Sequence, residues 1–270
     1  MGSQKKRRDI PRFEHPIIET HCHLDYLDAE QLEETIERSR AVGIERIVTI
    51  AVSPDNLATV MGLAHEHSQI WCTQGIHPHE AELYNDTVEA TITANASDSR
   101  VVAIGEIGLD YFYDHADRNV QCRVFEAQLA LAVEQDLPVV IHTREADADT
   151  RAILENFSSS LQRKGVIHSF TSGLELAEYC LSEGFCLGFN GITTFNKADN
   201  VREVVSATPL EQILLETDAP YLTPVPYRGK PNAPYYLPFI AEKLAAVKDC
   251  PVEELLQIAW QNSCQVFDFD

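Results

Sequence analysis

Residues 16–25 read Pro16-Ile17-Ile18-Glu19-Thr20-His21-Cys22-His23-Leu24-Asp25. Side chains alternate between the two faces of a β-strand, so residues two positions apart point the same way. His21 and His23 are therefore predicted to converge at the carboxyl end of a first strand, in a geometry suited to binding a metal ion. Histidines are also common at partly buried positions without any shared role. The metal hypothesis is favoured here because the same pattern recurs along the chain.

Seven further apolar runs follow this opening strand, several of them separated by segments with helical periodicity. The predicted strands lie at residues 44–52, 70–75, 101–105, 138–141, 165–167 and 185–189, and the last strand begins at residue 213. Apolar spacing and helix-end signals predict helices at residues 29–42, at about 54–65 and at 120–135, with a less periodic helix at 87–95. Apolar strands that alternate with helices are typical of a parallel sheet buried on both faces.

The number and order of these units predict the fold class. Eight strand–helix units in 270 residues indicate an α/β protein with a single closed (β/α)8 TIM barrel. An open, doubly wound sheet is the alternative, but it would place its ligands mainly at one switch point, whereas here they come from the ends of five strands. We expect one barrel domain at residues 13–270, preceded by a basic tail at residues 1–12 that contains Lys5-Lys6-Arg7-Arg8.

Composition narrows the classes of function. A hydrophobic content of 44% is enough for a large core, and a net charge of −21 opposes broad electrostatic attraction to a polyanion. This charge still permits a local phosphate site in which metal ions supply the positive charge. No apolar run approaches the length of a membrane-spanning helix, and no apolar segment follows the basic tail as in a secretory signal. The sequence therefore predicts no membrane association, and it indicates no obligate protein partner.

The chain has seven cysteines, which are scattered and contain no Cys-x-x-Cys pair. An odd, scattered set of this kind predicts reduced thiols rather than a disulfide framework. We therefore expect a cytoplasmic protein.

The candidate metal ligands each follow a predicted strand, where barrel enzymes place their chemistry. They are four histidines and two carboxylates: His21, His23, Glu106, His142, His168 and Asp218. This set exceeds what one catalytic zinc ion takes, which is usually three protein ligands and a water molecule. Two divalent ions with a shared carboxylate fit better. The mixed nitrogen and oxygen donors suit Zn, Mn, Fe or Ni, and suit Mg less well.

Several motifs resemble the TatD family of metal-dependent hydrolases, which belongs to the amidohydrolase-like barrels. The resemblance covers nearly the whole chain. It rests on Thr20-His21-Cys22-His23-Leu24-Asp25, Gly75-Ile76-His77-Pro78-His79, Gly105-Glu106-Ile107-Gly108-Leu109-Asp110-Tyr111, Ile141-His142-Thr143-Arg144, Leu215-Glu216-Thr217-Asp218-Ala219-Pro220, Pro224-Val225-Pro226-Tyr227-Arg228-Gly229-Lys230, Asn262 and Phe267.

The resemblance implies a ligand arrangement and an activity. His21, His23 and Asp218 would hold one metal ion, His142 and His168 would hold the other, and Glu106 would bridge them. The implied activity is that of a metal-supported deoxyribonuclease or a related phosphoesterase. The chain departs from the family at Glu19, where the family usually has aspartate. Pro231 and Ala233 also interrupt a loop that the family often writes Arg-Asn-Glu-Pro.

Four further residues are predicted to contact the substrate: His77, Arg144, Arg228 and Asn232. Arg144 lies two residues past His142, so its guanidinium would face the same mouth and bind a phosphate oxygen bidentately. The alternative for Arg144 is a surface salt bridge, and for Arg228 and Asn232 it is loop scaffolding. His79 is expected to cap a loop or to face solvent.

Three other carboxylates are predicted to support the site rather than to bind metal. Glu216 lies on the same strand face as Asp218 but one layer deeper, and a buried carboxylate there needs a partner. Asp25 and Asp110 are expected either to support ligands or to cap loops.

The leading function is a two-metal phosphodiesterase that acts on DNA, from an end. In it Glu106 would bridge the ions, and Asp218 would orient or deprotonate the attacking water. A second hypothesis is a metal-dependent hydrolase of another bond: an amide, or the ester of a D-aminoacyl-tRNA. A third is a binding protein without catalysis, which the intact ligand set disfavours. Arg144 and Arg228 favour the phosphate substrate.

Overall fold

Eight parallel strands form one sheet, and their spatial order is their order in the chain. The computed structural model describes residues 7–269, and the predicted tail residues 1–6, together with residue 270, lie outside that range. The strands are β1 Ile17–Cys22, β2 Ile44–Thr49, β3 Ile70–Gln74, β4 Val101–Asp110, β5 Val139–Arg144, β6 Gly165–Ile167, β7 Cys186–Phe189 and β8 Ile213–Leu215. The sequential order excludes the doubly wound alternative and confirms the TIM barrel.

A helix follows each strand, and one more helix follows the last unit. The helices are α1 Ala29–Ala41, α2 Leu57–Glu66, α3 Asp86–Asn95, α4 Arg118–Gln135, α5 Asp147–Phe157, α6 Leu174–Ser182, α7 Asp199–Ala207, α8 Leu237–Lys248 and α9 Val252–Phe267. Helix starts follow local capping chemistry. Asp28 and Gln31 form a reciprocal capping box at α1, and the Asn85 side chain accepts two backbone N–H bonds at α3.

Side chains of β1 help to close the barrel against β8. Cys22 at the end of β1 forms an isolated bridge with Ala219, four residues beyond β8, rather than a continuous ladder with that strand. Glu19 Oε1 accepts hydrogen bonds from the backbone N–H groups of His21, at 3.0 Å, and of Thr217, at 2.9 Å. Thr20 Oγ1 donates to the Leu215 carbonyl at 2.8 Å. Two polar side chains therefore supply part of the pairing that a regular ladder would provide.

Apolar side chains fill the barrel below its mouth. Val140 and Val166 lie two residues before His142 and His168, so they share the same strand faces and form the next layer down. They belong to a buried cluster that also contains Phe267 and Phe269 from the end of α9. A larger cluster packs the outer faces of the strands against the helices. The mouth is thus the polar end of a filled barrel.

The expected ends of β4 and β5 were wrong. β4 continues to Asp110 and β5 to Arg144, so Glu106 and His142 lie inside strands rather than after them. The strands keep pairing because Gly108 opposes His142, at a place where a Cβ atom would collide with the His142 carbonyl. Gly108 also has φ +137°, which glycine adopts without strain. His21 likewise lies inside β1.

The described part of the predicted basic tail packs against the loop that follows β8 and against α8. The Arg7 guanidinium lies 5.4 Å from the Tyr227 ring centroid, and the Arg8 side chain pairs with Glu242. The division of the chain at residue 12 stays a prediction.

Within residues 7–269, no helix combines the length and the apolar character needed to span a bilayer. All seven cysteines lie in this described range and are free thiols.

Substitution of Glu19 should reveal its part in closing the barrel. Burial raises the pKa of the Glu19 carboxyl to about 8, so the group retains its proton at neutral pH. Glu19→Gln preserves the accepting oxygen and should change the free energy of unfolding by less than about 1 kcal/mol. Glu19→Ala leaves two buried N–H groups without an acceptor and should cost about 2–4 kcal/mol.

These values would come from urea unfolding of metal-depleted protein at neutral pH, which removes any stabilisation by bound ions. Glu45→Ala, at an exposed glutamate on β2, is the matched control and should leave stability unchanged. If Glu19→Ala were as stable as wild type, the closure would not depend on this side chain.

Candidate metal centre

Five barrel strands bring the predicted ligands together at the mouth. His21 lies near the end of β1 and His23 just after it, Glu106 lies in the middle of β4, and His142 lies in β5. His168 follows β6 directly, and Asp218 stands three residues beyond β8. All six side chains are buried or nearly so, including Glu106, which is only 3% exposed. The structure therefore places the whole predicted set in one buried cluster.

The Glu106 carboxylate stands between two groups of imidazoles. Its Oε1 lies 2.9 Å from His142 Nδ1 and 3.0 Å from His168 Nε2. Its Oε2 lies 3.4 Å from His21 Nε2. Asp218 Oδ1 completes the second group, at 3.7 Å from His21 Nε2 and 3.5 Å from His23 Nε2. Each oxygen of one carboxylate thus faces a different set of donors.

These distances fit residues that surround divalent ions. Ligand atoms about 2.0–2.2 Å from one ion, at angles of about 90–110°, stand about 2.8–3.6 Å apart. His21 Nε2 is buried and has no hydrogen-bond partner within residues 7–269, although it faces both Glu106 and Asp218. Such an unpartnered buried nitrogen is costly unless it binds something. The described residues therefore fit a divalent metal centre.

His77 and Glu216, which were predicted for other roles, also lie within the range of metal ligands. Donor atoms of His77, Glu106 and His142 lie within 4.8 Å of one another, as do those of His21, His168 and Glu216. A third such group is His21, His23 and Glu106. His77 Nε2 is 3.5 Å from Glu106 Oε1, so a phosphate contact by His77 would lie next to the carboxylate.

Asp110 holds His142 in place from the side opposite Glu106. Its Oδ2 accepts from His142 Nε2 at 2.9 Å, which leaves His142 Nδ1 directed toward Glu106. Its Oδ1 accepts from the backbone N–H groups of Phe112 and Tyr113. Asp110 therefore contacts His142 and caps a loop, and the role of His142 as a metal ligand stays a prediction.

Glu216 holds the next histidine around the barrel. Its Oε1 lies 3.4 Å from His168 Nδ1 and accepts from the Ser169 backbone N–H at 2.7 Å. Asn190, which the sequence did not single out, donates to the same oxygen at 3.2 Å. A Cβ atom at Gly188 would collide with Glu216 Oε2, so any larger residue here would displace this carboxylate. The carboxylate contacts His168 on the side of the ring opposite Glu106, and its supporting role stays a prediction.

The electrostatics of the cluster keep its carboxylates ionised. Burial opposes ionisation of Glu106, but His168, His77 and His21 hold the pKa of its carboxyl well below the usual range. Burial likewise opposes ionisation of Asp218, and the nearby histidines lower its pKa. Burial and the neighbouring His168 lower the pKa of His21, so this imidazole is neutral at neutral pH. Ionised carboxylates and neutral imidazoles are the forms that bind divalent cations. Burial opposes protonation of His23, His142 and His168, but the neighbouring carboxylates raise the pKa of each, so these three imidazoles would release protons on binding an ion.

The predicted substrate residues occupy different parts of the mouth. His77 and Arg144 line a cavity of about 700 Å³ above the ligand cluster. The Arg228 guanidinium lies 3.6 Å from the Phe195 ring centroid, outside the lining of this cavity. The Asn232 side chain is buried and donates to the carbonyls of Thr217 and Tyr221. Substrate contacts by all four residues stay predictions.

His79 has a different place from the one expected. Its side chain lies on the cavity wall rather than capping a loop or facing only solvent. Its Nε2 lies 3.1 Å from Asp110 Oδ2. The sequence also gave no reason to select His115, Tyr26, Tyr113 or Tyr221, which line the same cavity. The Gly75-Ile76-His77-Pro78-His79 motif was the only available signal for His79.

Comparisons with known proteins agree with this geometry. Residues 18–268 match the model of the family described as TatD related DNase. The chain is 38% identical to the metal-dependent hydrolase YabD of Bacillus subtilis, over 93% of this chain and 98% of the relative. It is 35% identical to the metal-dependent hydrolase YcfH of Escherichia coli, over 94% and 96%. The crystal structure of YjjV, a TatD homolog from Escherichia coli, superposes with a TM-score of 0.89 at 31% identity, covering 94% of this chain and 98% of that one.

Removal of the Glu106 carboxylate should disrupt the binding of both ions. Protein purified without chelator should contain close to two transition-metal ions per chain by elemental analysis. Because each Glu106 oxygen faces a different ligand group, Glu106→Ala should reduce the content to one ion or fewer and abolish hydrolysis. Glu106→Gln keeps the shape but loses the charge, and it should also bind the ions weakly.

Glu80→Gln is the matched control, since Glu80 lines the cavity but lies outside the ligand cluster. It should retain both ions. A wild-type protein that stays metal-free after reloading, or a Glu106→Ala variant with two tightly bound ions, would contradict the assignment.

Proposed function

The chain belongs to the TatD family of metal-dependent hydrolases, and on that premise we propose that it hydrolyses phosphodiester bonds at the ends of DNA strands with two divalent ions. The observation that carries this proposal is the position of Glu106, whose two carboxylate oxygens face different ligand groups. A carboxylate between two donor sets is what a two-ion centre requires. We assign His21, His23 and Asp218 to one ion and His142 and His168 to the other, with Glu106 shared.

The protein side chains would organise the reaction around the ions. Bound divalent ions would stabilise charge on phosphoryl oxygens and increase the acidity of water at neutral pH. Asp218 carries its carboxylate beside His21 and His23 at the open side of the cluster, where it would orient or deprotonate the attacking water. Glu106 would fix the separation of the two ligand groups. Asp110 and Glu216 hold His142 and His168 from behind, so the ligands need little reorganisation.

A phosphate substrate is supported by the cationic group at the rim. Arg144 lines the cavity, and its guanidinium is exposed on the β5 side of the mouth. Its charge could reach a non-bridging phosphate oxygen with the planar fork that suits phosphate. We propose His77 as a second contact beside Glu106, and Arg228 and Asn232 as contacts from the loop after β8. Because the chain has a net charge of −21, these local groups and the ions must supply the attraction.

The donor atoms of the cluster bear on the identity of the metal, and the cysteines bear on the location of the protein. The nitrogen and oxygen donors suit Zn, Mn, Fe or Ni, and Mg less well. The seven free thiols support a reducing, cytoplasmic location.

A substrate panel tests the reaction class. Metal-stripped protein would be reloaded separately with Mg, Mn or Zn and offered single- and double-stranded DNA labelled at either end. RNA, small phosphoesters, an amide substrate and D-aminoacyl-tRNA would complete the panel. We expect the highest kcat/KM on DNA ends. Turnover confined to the amide or to D-aminoacyl-tRNA would replace the phosphodiesterase assignment by hydrolysis of another bond.

Substitution of Arg144 should separate phosphate binding from metal binding. Arg144→Ala should lower kcat/KM on DNA ends by about 30- to 1000-fold, equivalent to about 2–4 kcal/mol, as for loss of one preorganised oxyanion donor. Arg144→Lys keeps the charge without the planar fork, so it should recover only part of this loss. Metal content should hardly change in either variant, because Arg144 lies outside the ligand cluster.

Arg151 offers a matched control on α5, where its exposed guanidinium lies 5.0 Å from the Tyr179 ring centroid. Arg151→Ala should leave kcat/KM unchanged. Full activity of both Arg144 variants on DNA would remove the main support for a phosphate contact at this residue.

A further inference from the structure

We propose that the barrel mouth carries two aromatic clamps that bind the unpaired nucleobases on either side of the phosphodiester bond being hydrolysed. The first clamp consists of Tyr26 and Tyr221, and the second of Phe112 and Tyr113 together with Arg144. This inference rests on the proposed phosphodiesterase function and adds to it the form of the substrate. The ligand is a single polynucleotide strand with stackable bases on both sides of the scissile phosphate.

The clamp rings are unusually exposed for aromatic side chains. Tyr26 is 47% exposed, Phe112 49%, Tyr113 50% and Tyr221 53%. Within residues 7–269, six large hydrophobic side chains are exposed. Four are these aromatic rings, and the remaining two are the aliphatic side chains of Leu83 and Val225. Tyr26, Tyr113 and Tyr221 line the cavity above the metal cluster, and Phe112 lies beside Tyr113 with ring centroids 4.9 Å apart. The exposed aromatic surface is therefore concentrated at the site.

The two clamps lie on opposite sides of the metal cluster. Tyr26 follows β1 and Tyr221 follows β8, whereas Phe112 and Tyr113 follow β4 and Arg144 ends β5. In a closed barrel with the strand order β1 to β8, the β4–β5 side faces the β8–β1 side across the mouth. A strand whose phosphate lies on the metal cluster would thus extend toward one clamp in each direction.

Each clamp also contacts one group of metal-centre residues. The Tyr26 ring stacks on His23, with centroids 5.2 Å apart and planes 11° apart, and the Tyr221 ring lies 6.4 Å from Tyr26. Across the mouth, the Tyr113 ring lies 5.4 Å from His79, which contacts Asp110 behind His142. A base held by either clamp would therefore lie close to the reacting phosphate.

The chemistry of the clamps fits nucleobases. The Arg144 guanidinium carbon lies 4.1 Å from the Phe112 ring centroid and 4.9 Å from that of Tyr113, so it forms a cationic plane on an aromatic support. Nucleobases stack on aromatic rings and on arginine planes whatever their sequence. Paired bases inside a duplex do not offer their faces in this way. The clamps therefore select unpaired strands, of DNA or of RNA, over blunt duplex ends.

The test combines ring removal with base removal. The substrates are a short single-stranded oligonucleotide, the same strand with abasic residues flanking the terminal bond, and a blunt duplex, each as DNA and as RNA. The DNA and RNA arms show which backbone the clamps accept. The enzymes are wild type, a Phe112→Leu/Tyr113→Leu double variant and a Tyr26→Leu/Tyr221→Leu double variant, all with checked metal content. Tyr179→Leu is the matched control, because Tyr179 also has an arginine over its ring but lies on α6, outside the cavity lining.

For wild type, abasic flanks should lower kcat/KM by about 5- to 150-fold per base, the range found for lost base–aromatic stacking. Each double leucine variant should show a similar loss on the normal strand and little further loss when the base facing its clamp is removed. Phenylalanine variants of Tyr113 and Tyr221 keep the ring and should retain near wild-type rates. Equal rates on normal and abasic strands for wild type, or ring variants that lose activity equally on both, would overturn the proposal.

A binding measurement separates this inference from the proposed function. Fluorescence anisotropy with slowly hydrolysed phosphorothioate versions of the same strands reports stacking even if no DNA is cleaved. Loss of affinity on base removal in wild type, but not in the ring variants, would support the clamps. The substrate panel described above separately determines which bond is hydrolysed. Affinity that does not depend on bases or rings would overturn the clamps even if DNA is hydrolysed.

Discussion

The burial of the Glu106 carboxylate is the constraint on which the rest of the site depends. An ionised carboxylate that is removed from water needs charged or hydrogen-bonding partners at both of its oxygens. Here the partners are imidazoles from other strands, which reach Glu106 only because a parallel barrel turns the carboxyl ends of all its strands toward one mouth. The apolar layer below, with Val140 and Val166, excludes water from beneath. Fold and site therefore impose the same requirement on the sequence: apolar strands that end in polar residues.

This shared requirement explains why so much could be predicted. Alternation along β1 was enough to place His21 and His23 on one face, and repetition of the pattern was enough to predict the barrel. The errors occurred where a strand was taken to end at its first polar residue. β4 crosses Glu106 and continues to Asp110, because hydrogen bonding to β5 depends on the backbone and on Gly108 rather than on apolar side chains. Hydrophobic patterns indicate which residues are buried in the core. They indicate the length of a strand only where the buried apolar stretch and the hydrogen-bonded strand end at the same residue.

The support and the rim of the site were harder to predict because they depend on distances between loops. Asp110 could be assigned a supporting role from its place near Glu106. Its simultaneous contacts with His142 and His79, however, join three different strand–loop units. Nothing local in the sequence distinguishes Asn190 as the partner of Glu216. Phe112 and Tyr113 are aromatic residues of a kind that is usually buried, and only the packing of the loop after β4 shows that they are exposed. Such roles follow from tertiary placement, which a single sequence does not encode in its periodicity.

The overall charge of the chain bears on how such a site can hold a polyanion. A surface with a net charge of −21 repels phosphate at long range. In the proposed function, attraction would be local, from ions held by Glu106 and the histidines and from Arg144 at the rim. Stacking on neutral rings carries no such electrostatic penalty, and it adds affinity that salt screens only weakly. The exposed rings and the acidic surface are consistent with one another on this proposal: the charge would discourage non-specific attachment along a duplex, while the mouth would retain an unpaired end.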